Sequence, residues 1–352
     1  MGQSRQIRVA VLGATGYTGA ELLRLVRGHP GIVLSQVAGH GKAGLPIEKV
    51  LPSLVGLVSG TVDAIDPERV AASSDAAFCA LPHGASAKIV KELRQRGVVV
   101  FDLSADFRLS DRATYERWYA EHPAPELLEE AVYGLCELYR DRLRTADLVA
   151  VPGCYPTAAA LALAPLVRAG LLELGTLVVD AKSGASGAGR GLSEAAHFAH
   201  LAEGLRAYKV AGLHRHTPEI EQTLAREAGG PVTITFTPHL VPMIRGILAT
   251  CYASLRDSGT TAERCVALAR DLYEGSPSAY VLDAGTNPDT SWVRGSNRCL
   301  ISYSVDQRSG RLVAQAVIDN LVKGAAGQAL QCFNLRFGFE EQTALDGAGL
   351  FP

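Results

Sequence analysis

Three short stretches of this chain carry residue types suited to covalent chemistry. Cys154 stands in Val151-Pro152-Gly153-Cys154-Tyr155-Pro156-Thr157, between turn formers. An apolar strand-like run, 148–151, leads in, and a helix-like run, 157–167, leads out. This order puts a sulfur at a helix N-terminus, where exposed backbone N–H groups and the helix dipole favour the thiolate. A thiol nucleophile needs a proton partner. His214-Arg215-His216 offers two, just before Thr217-Pro218, which reads as the cap and first residue of a helix. Two histidines with Glu219 also suggest zinc. The H-x-H spacing on a loop, without matching cysteine ligands, argues against it, and no metal is expected. The third stretch, Ser183-Gly184-Ala185-Ser186-Gly187-Ala188-Gly189-Arg190, follows a strand and reads as an anion cradle of bare N–H groups, hydroxyls and a terminal arginine. It lacks the Gly-Lys-Ser/Thr ending of a nucleotide-triphosphate loop. Ser183, Ser186 and Arg190 are placed to hold a phosphoryl group or a carboxylate, and Ser186 and Gly187 to approach a cofactor.

The elements that must position these groups are legible upstream. Ile7–Leu12 reads as a buried strand, Gly13-Ala14-Thr15-Gly16-Tyr17-Thr18-Gly19 as a glycine turn, and 20–26 as a helix. That is the order of a dinucleotide-binding βαβ unit, in which Gly13, Gly16 and Gly19 allow a tight turn and close approach of a pyrophosphate to the helix start. Thr15, Tyr17 and Thr18 lie in the same turn. After the second strand, 32–37, no acid awaits a ribose 2′-hydroxyl; the first is Glu48. His40 and Lys42 are placed to face a 2′-phosphate, which favours NADP over NAD. Arg108, two residues after Asp106 on a loop following a strand, suits a carboxylate or phosphate of a substrate. Tyr208 is a candidate for the substrate wall and Asn320 for the nicotinamide.

Composition sets the frame. The chain has 352 residues, 47% hydrophobic and 20% charged, with a net charge of −2. The length suggests two domains, and the charge gives no footprint for nucleic acid or an anionic membrane. No signal-peptide core opens the chain, and the most apolar run, 158–172, is broken by Pro165 and Arg168 and is too short to span a bilayer. Seven cysteines, widely spaced and without a C-x-x-C pair, argue against a disulfide framework and for a reducing, cytoplasmic setting. Strands and helices alternate through the first half, as in a doubly wound parallel sheet. Strand patterns dominate the second half and predict a mixed, largely antiparallel sheet of the kind that packs against its copy in an oligomer. The expected fold is an α/β Rossmann-type NADP-binding domain plus an α+β domain.

Together Gly13–Gly19, Leu103–Leu109, Val151–Thr157, Ser183–Arg190, His214–Ile220 and Asp319–Gly327 resemble one family, the N-acetyl-gamma-glutamyl-phosphate reductases, NADPH-dependent enzymes of arginine biosynthesis. The resemblance spans essentially the whole chain. It implies a cofactor domain of residues 1–153 and 320–352, and an inserted catalytic and dimerisation domain of residues 154–319. It implies that Cys154 is the nucleophile, that His214, or else His216, is the acid/base, and that the enzyme is a homodimer or homotetramer. The reaction implied is reduction of a small acyl phosphate, N-acetylglutamyl 5-phosphate, to the semialdehyde through a cysteine thioester. Related branches act on carrier-bound aminoadipyl phosphate or on aspartyl phosphate. The chain departs from the family pattern at Cys136, where proline is usual, and after the second strand, where a serine or arginine is often found.

Overall fold

The computed structural model describes residues 6–192, 194 and 197–351. They form two compact units. The first runs up to Pro152 and takes in Ala325–Asp346; the second comprises Gly153–Gly324 and the last residues from Gly347. The chain thus re-enters the first unit after Gly324, and its last residues from Gly347 fall in the second unit.

In the first unit six strands, β1 (Ile7–Leu12), β2 (Ile32–Ala38), β3 (Ala76–Cys79), β4 (Val99–Asp102), β5 (Val132–Tyr133) and β6 (Leu148–Ala150), form a sheet of order β2-β1-β3-β4-β6-β5. Every pairing in it is parallel. Parallel strands are covered on both faces and must be apolar throughout, and β3, β4 and β6 are buried along their whole length. The strand order reverses direction at β1, and the crevice beyond the carboxyl ends of β1 and β3 is where such sheets bind ligands. Helix α1 (Tyr17–Val26) follows β1 and α2 (Ala85–Gln95) follows β3. The terminal helix, Gly327–Phe337, closes the core from the far end of the sequence. Its Phe333 ring lies 5.8 Å from both Phe78 and Phe101. Beside it His29 is buried and neutral: Gly31 N–H donates to its Nδ1, so Nε2 carries the hydrogen and donates to Asn334 Oδ1 at 2.9 Å, and burial lowers its pKa.

The second unit holds seven strands, β7 (Val178–Ser183), β8 (Arg206–Ala207), β9 (Thr235–Leu240), β10 (Ile247–Ser254), β11 (Ala279–Val281), β12 (Cys299–Asp306) and β13 (Arg311–Ile318), in the order β11-β12-β13-β10-β7-β9-β8. Only β11–β12 and β7–β9 pair in parallel; the other pairings are antiparallel. The run from 232 to 241 makes the single strand β9. One sheet face is covered by helix α3 (Cys154–Arg168), which contacts β10 and β13 and is flanked by α4 (Thr217–Ala228) and α5 (Ala262–Leu272). All of α3 but its two end residues is buried. A proline inside such a helix removes the N–H that would bond the carbonyl one turn back. Here Pro165 deprives Leu161 O of its donor, and the Tyr273 hydroxyl supplies one at 2.8 Å.

The sequence reading placed helix starts too late at one site and misassigned a cap at another. Helix α3 begins at Cys154 itself, not at Thr157. In α4 the cap is His216, while Thr217 and Pro218 are already helical.

Candidate active site

Cys154 is the first residue of α3, and Gly153 is its cap, with no side-chain capping bond and no acid in the helix's own first turn. Among the described residues six cysteines are buried and Cys154 alone is half-buried. A partly accessible thiol at a helix start without a side-chain cap sits in positive potential. Two residues far away in sequence shape this start. Glu219, in the first turn of α4 and only 1% exposed, accepts the Gly153 N–H on Oε1 at 2.7 Å. Gly324 lies against the cysteine so closely that a Cβ on it would stand 2.7 Å from Cys154 Cβ. Pro156 has no N–H, and Thr157 N–H bonds Gly153 O, which confines any oxyanion-holding role at this helix start to the Cys154 and Tyr155 amides.

The histidines gather on Tyr155. Its ring lies 5.7 Å from His214 and 5.9 Å from His216, and the two imidazoles are 5.0 Å apart. Tyr208 joins the cluster, its ring 5.4 Å from His214. Its hydroxyl donates to Tyr155 Oη, which in turn donates to His239 O, each at 3.2 Å. Buried His214 accepts the His216 N–H on Nδ1 at 3.1 Å, so its remaining hydrogen is on Nε2. Burial first, then the charges of Lys209 and Arg215, push its pKa down to about 4. His214 is therefore a neutral hydrogen-bond donor at pH 7. The loop that brings Tyr208 and His214 together is strained: Lys209 and Ala211 take positive φ values of 46° and 56°, a conformation that costs ~1–3 kcal/mol and clusters at functional sites.

The Ser183–Arg190 loop differs from the expected cradle of bare amides. The N–H groups of Gly184, Ala185 and Ser186 bond the carbonyls of Gly246, Met243 and Ile244. Of the loop's polar side chains, Ser183 and Ser186 are buried, Ser183 Oγ donating to Gly184 O at 3.1 Å, and Arg190 is exposed. Gly187 is required for closeness, since a Cβ would come 3.0 Å from Ser183 Oγ. Asn320 holds the loop in place; its Nδ2 donates to Ser186 Oγ at 2.9 Å and its Oδ1 accepts the Gly246 N–H at 2.8 Å.

In the first unit the glycine turn has the shape a pyrophosphate needs. Gly13 has φ +78°, and a Cβ there would stand 2.1 Å from Ala80 O; on Gly19 it would stand 2.4 Å from Gly13 O. At Gly16 a Cβ would meet only Gly13 O, at 3.6 Å, so that side of the turn is open. No side chain caps α1, and no acid lies in its first turn, so nothing competes with an anion there. Tyr17 is exposed, and Thr15 and Thr18 are half-buried in the same turn. His40 and Lys42 are exposed just beyond β2. Arg108, read from sequence as a substrate-binding arginine, lies at the end of the first unit's sheet. It is buried, with Nε on Val151 O at 2.8 Å and Nη2 on Leu103 O at 2.7 Å, and so ties together the chain beyond β4 and β6.

Glu219, Tyr155 and Gly324, which the structure brings against the Cys154 turn or the histidines, carry no clear signal in sequence: Glu219 stands out only as an acid in a helix's first turn and beside the histidines as a possible metal ligand, and Gly324 only as one glycine among several. Among the described residues no group of His, Cys, Asp and Glu is arranged to hold a metal ion, and no helix is long and apolar enough to cross a membrane.

Comparison with known proteins agrees with this geometry. Residues 8–146 match the family model described as semialdehyde dehydrogenase, NAD binding domain, and residues 154–320 the one described as semialdehyde dehydrogenase, dimerisation domain. Fold and site thus define a semialdehyde dehydrogenase, an oxidoreductase. The chain is 49% identical to the N-acetyl-gamma-glutamyl-phosphate reductase of Geobacter metallireducens over 98% of this chain and 100% of that one. It is 50% identical to the reductase of the same name from Desulforamulus reducens, with the same coverage. The chain belongs to the N-acetyl-gamma-glutamyl-phosphate reductase family. Among solved structures it aligns with aspartate semialdehyde dehydrogenase II of Vibrio cholerae, complexed with ASA, at a TM-score of 0.71 over 94% of this chain and 98% of that one. At 17% identity that likeness speaks for the fold alone.

Proposed function

We propose that this enzyme reduces N-acetyl-L-glutamyl 5-phosphate to N-acetyl-L-glutamate 5-semialdehyde and phosphate, with NADPH, in arginine biosynthesis. The observation that carries the reading is the half-buried Cys154 thiol at a helix start without a side-chain cap, followed by Tyr155, whose ring packs against two histidines. The Cys154 thiolate attacks the acyl carbon, the C–O bond to phosphate breaks, and inorganic phosphate leaves a thioester on the sulfur. Gly13, Gly16 and Gly19 with the start of α1 hold the pyrophosphate of NADPH, with Thr15, Tyr17 and Thr18 beside it and His40 and Lys42 toward the 2′-phosphate. When bound, NADPH supplies the hydride that reduces the thioester carbonyl. The thiohemiacetal then collapses, the C–S bond breaks, and the aldehyde departs. His216 is assigned the proton traffic, because neutral His214 has Nδ1 engaged and a pKa near 4. His214 donates its Nε2–H to the carbonyl oxygen instead. Ser183, Ser186 and Arg190 receive the phosphoryl group or the carboxylate, Tyr208 with Tyr155 forms the wall, and Ser186, Gly187 and Asn320 serve the nicotinamide side.

The first unit is the cofactor domain in this reading, and the second is the catalytic and dimerisation domain of a homodimer or homotetramer. A cytoplasmic setting fits seven cysteines that form no disulfide, two of which, Cys136 and Cys332, have Sγ atoms only 3.4 Å apart.

The test is the NADPH absorbance on adding N-acetylglutamyl, aspartyl or carrier-bound aminoadipyl phosphate. Turnover of the first at least tenfold above the others is expected; preference for another moves the enzyme to that branch. Cys154→Ser is expected to abolish reduction while NADPH still binds. Full activity in that variant ends the covalent route.

A further inference from the structure

We propose that Glu219 is a positioning residue for Cys154, fixing the turn that carries the sulfur and setting the charge at its helix start. The inference rests on Cys154 being the nucleophile, as argued above.

A carboxylate buried to 1% exposure needs hydrogen bonds to offset its lost hydration. Glu219 finds one on Gly153, sixty-six positions earlier, and at 2.7 Å it has the short length of a charge-assisted bond. Gly153 is the cap of α3 and has extended backbone, φ −67° and ψ 155°. The N–H that Glu219 accepts is the cap's own, which in a capping box a glutamate in the first turn of the same helix accepts; α3 has no acid there, and the acceptor comes from another helix. It also joins the two parts of the chemistry, because Glu219 is three residues beyond His216 on the helix that begins there. One side chain thereby ties the cysteine turn to the histidine loop.

The charge has a separate consequence. The start of α3 favours the Cys154 thiolate through its dipole, and a carboxylate one residue from the cysteine opposes that effect. Tyr155 and Tyr208 both feel the charge of the sulfur through their hydroxyls, and the imidazoles of His214 and His216 pack on the Tyr155 ring. With His214 neutral, Glu219 is the anion that keeps the thiol from ionising permanently, so that the sulfur both attacks and leaves. Its length and acceptor oxygen set the geometry; its charge sets the thiolate fraction.

Glu219→Gln separates the two roles, because it keeps an acceptor for the Gly153 N–H and removes the charge. The pH dependence of Cys154 alkylation by iodoacetamide, read by mass spectrometry, is expected to move to lower pH by on the order of one unit. Reduction of the acyl phosphate is expected to fall with the KM for NADPH unchanged. Glu219→Ala removes both roles and should lower kcat more than tenfold beyond the glutamine variant. An alkylation profile in Glu219→Gln identical to the wild type overturns the proposal, and that readout stands even where the alanine variant fails to fold. Activity that survives complete alkylation of Cys154 overturns the nucleophile reading, and this proposal with it.

Discussion

Gly324→Ala places one methyl group against the nucleophile. Its Cβ would stand 2.7 Å from Cys154 Cβ, 3.2 Å from Cys154 Cα and 3.3 Å from Ile318 Cδ1. Carbon atoms in contact prefer separations of about 3.5–4.0 Å, so the pair must part by roughly 1 Å. Neither side yields easily. The Gly324 N–H bonds Asp319 O at 3.0 Å within a π-turn over Val322–Ala326, and Cys154 opens a fully packed helix. Overpacking of this kind costs about 1–3 kcal/mol of stability. The larger effect is on rate, because a misplacement of about 1 Å at a reacting centre costs on the order of 10²-fold. We therefore expect kcat for acyl-phosphate reduction to fall roughly 100-fold while NADPH affinity holds, with thermal unfolding as the companion measurement. Gly175→Ala is the control, since a Cβ there meets nothing within 4 Å, and it should stay within about 0.5 kcal/mol of the wild type. Wild-type kcat and stability in Gly324→Ala would refute the packing of the turn on Cys154.

Three further outcomes follow from the same coordinates. Native protein treated with a thiol reagent at neutral pH should label Cys154 first, with the six buried cysteines reacting only on unfolding; a second thiol labelled as fast refutes the burial. Tyr273→Phe removes the donor that replaces the missing Pro165 N–H at Leu161 O, and an unsatisfied buried carbonyl should cost about 1–3 kcal/mol by denaturation. Asp102 is fully buried, and desolvation raises its pKa to about 6 despite the hydroxyls of Ser104 and Ser86. A folded carboxyl titrating above its unfolded value of 3.8 binds more protons in the native state, so its contribution falls as pH rises from about 4 to 6, by about 3 kcal/mol. Asp102→Asn abolishes this loss, so the stability of the variant relative to the wild type should grow between pH 4 and pH 7; a constant difference refutes the raised pKa.

The parts of this enzyme legible in sequence are those whose causes are local. A glycine turn between a strand and a helix has few other uses, and Gly13 and Gly19 are forced by contacts made inside the turn or to the neighbouring strand. Cys154 was legible because the turn formers around it demand a helix start. Glu219 and Gly324 were not, because what gives them a role is a partner sixty-six positions away in one case and one hundred and seventy in the other. The same distance explains the Ser183–Arg190 loop. Its amides look bare in sequence, and only the pairing with residues 243–246 fills them.

Arg108 and Arg190 are held differently in the structure, and the reason is physical. Arg108 and Arg190 both follow strands on loops rich in small or polar residues, and either suits an anion by type. What separates them is supply of acceptors. Arg108 enters a place where the carbonyls beyond β4 and β6 lack strand partners, and a buried guanidinium satisfies Leu103 O and Val151 O at once. Val151 lies three residues before the nucleophile. Shortening the side chain should therefore reach the chemistry through the backbone. Arg108→Lys keeps the charge but gives up the planar fork, so its two carbonyls are no longer held together. The expected result is a loss of stability of the order of 1–3 kcal/mol with the KM for acyl phosphate unchanged. Arg190→Lys, at the exposed end of the loop proposed to take the anion, should do the reverse: leave stability alone and raise that KM.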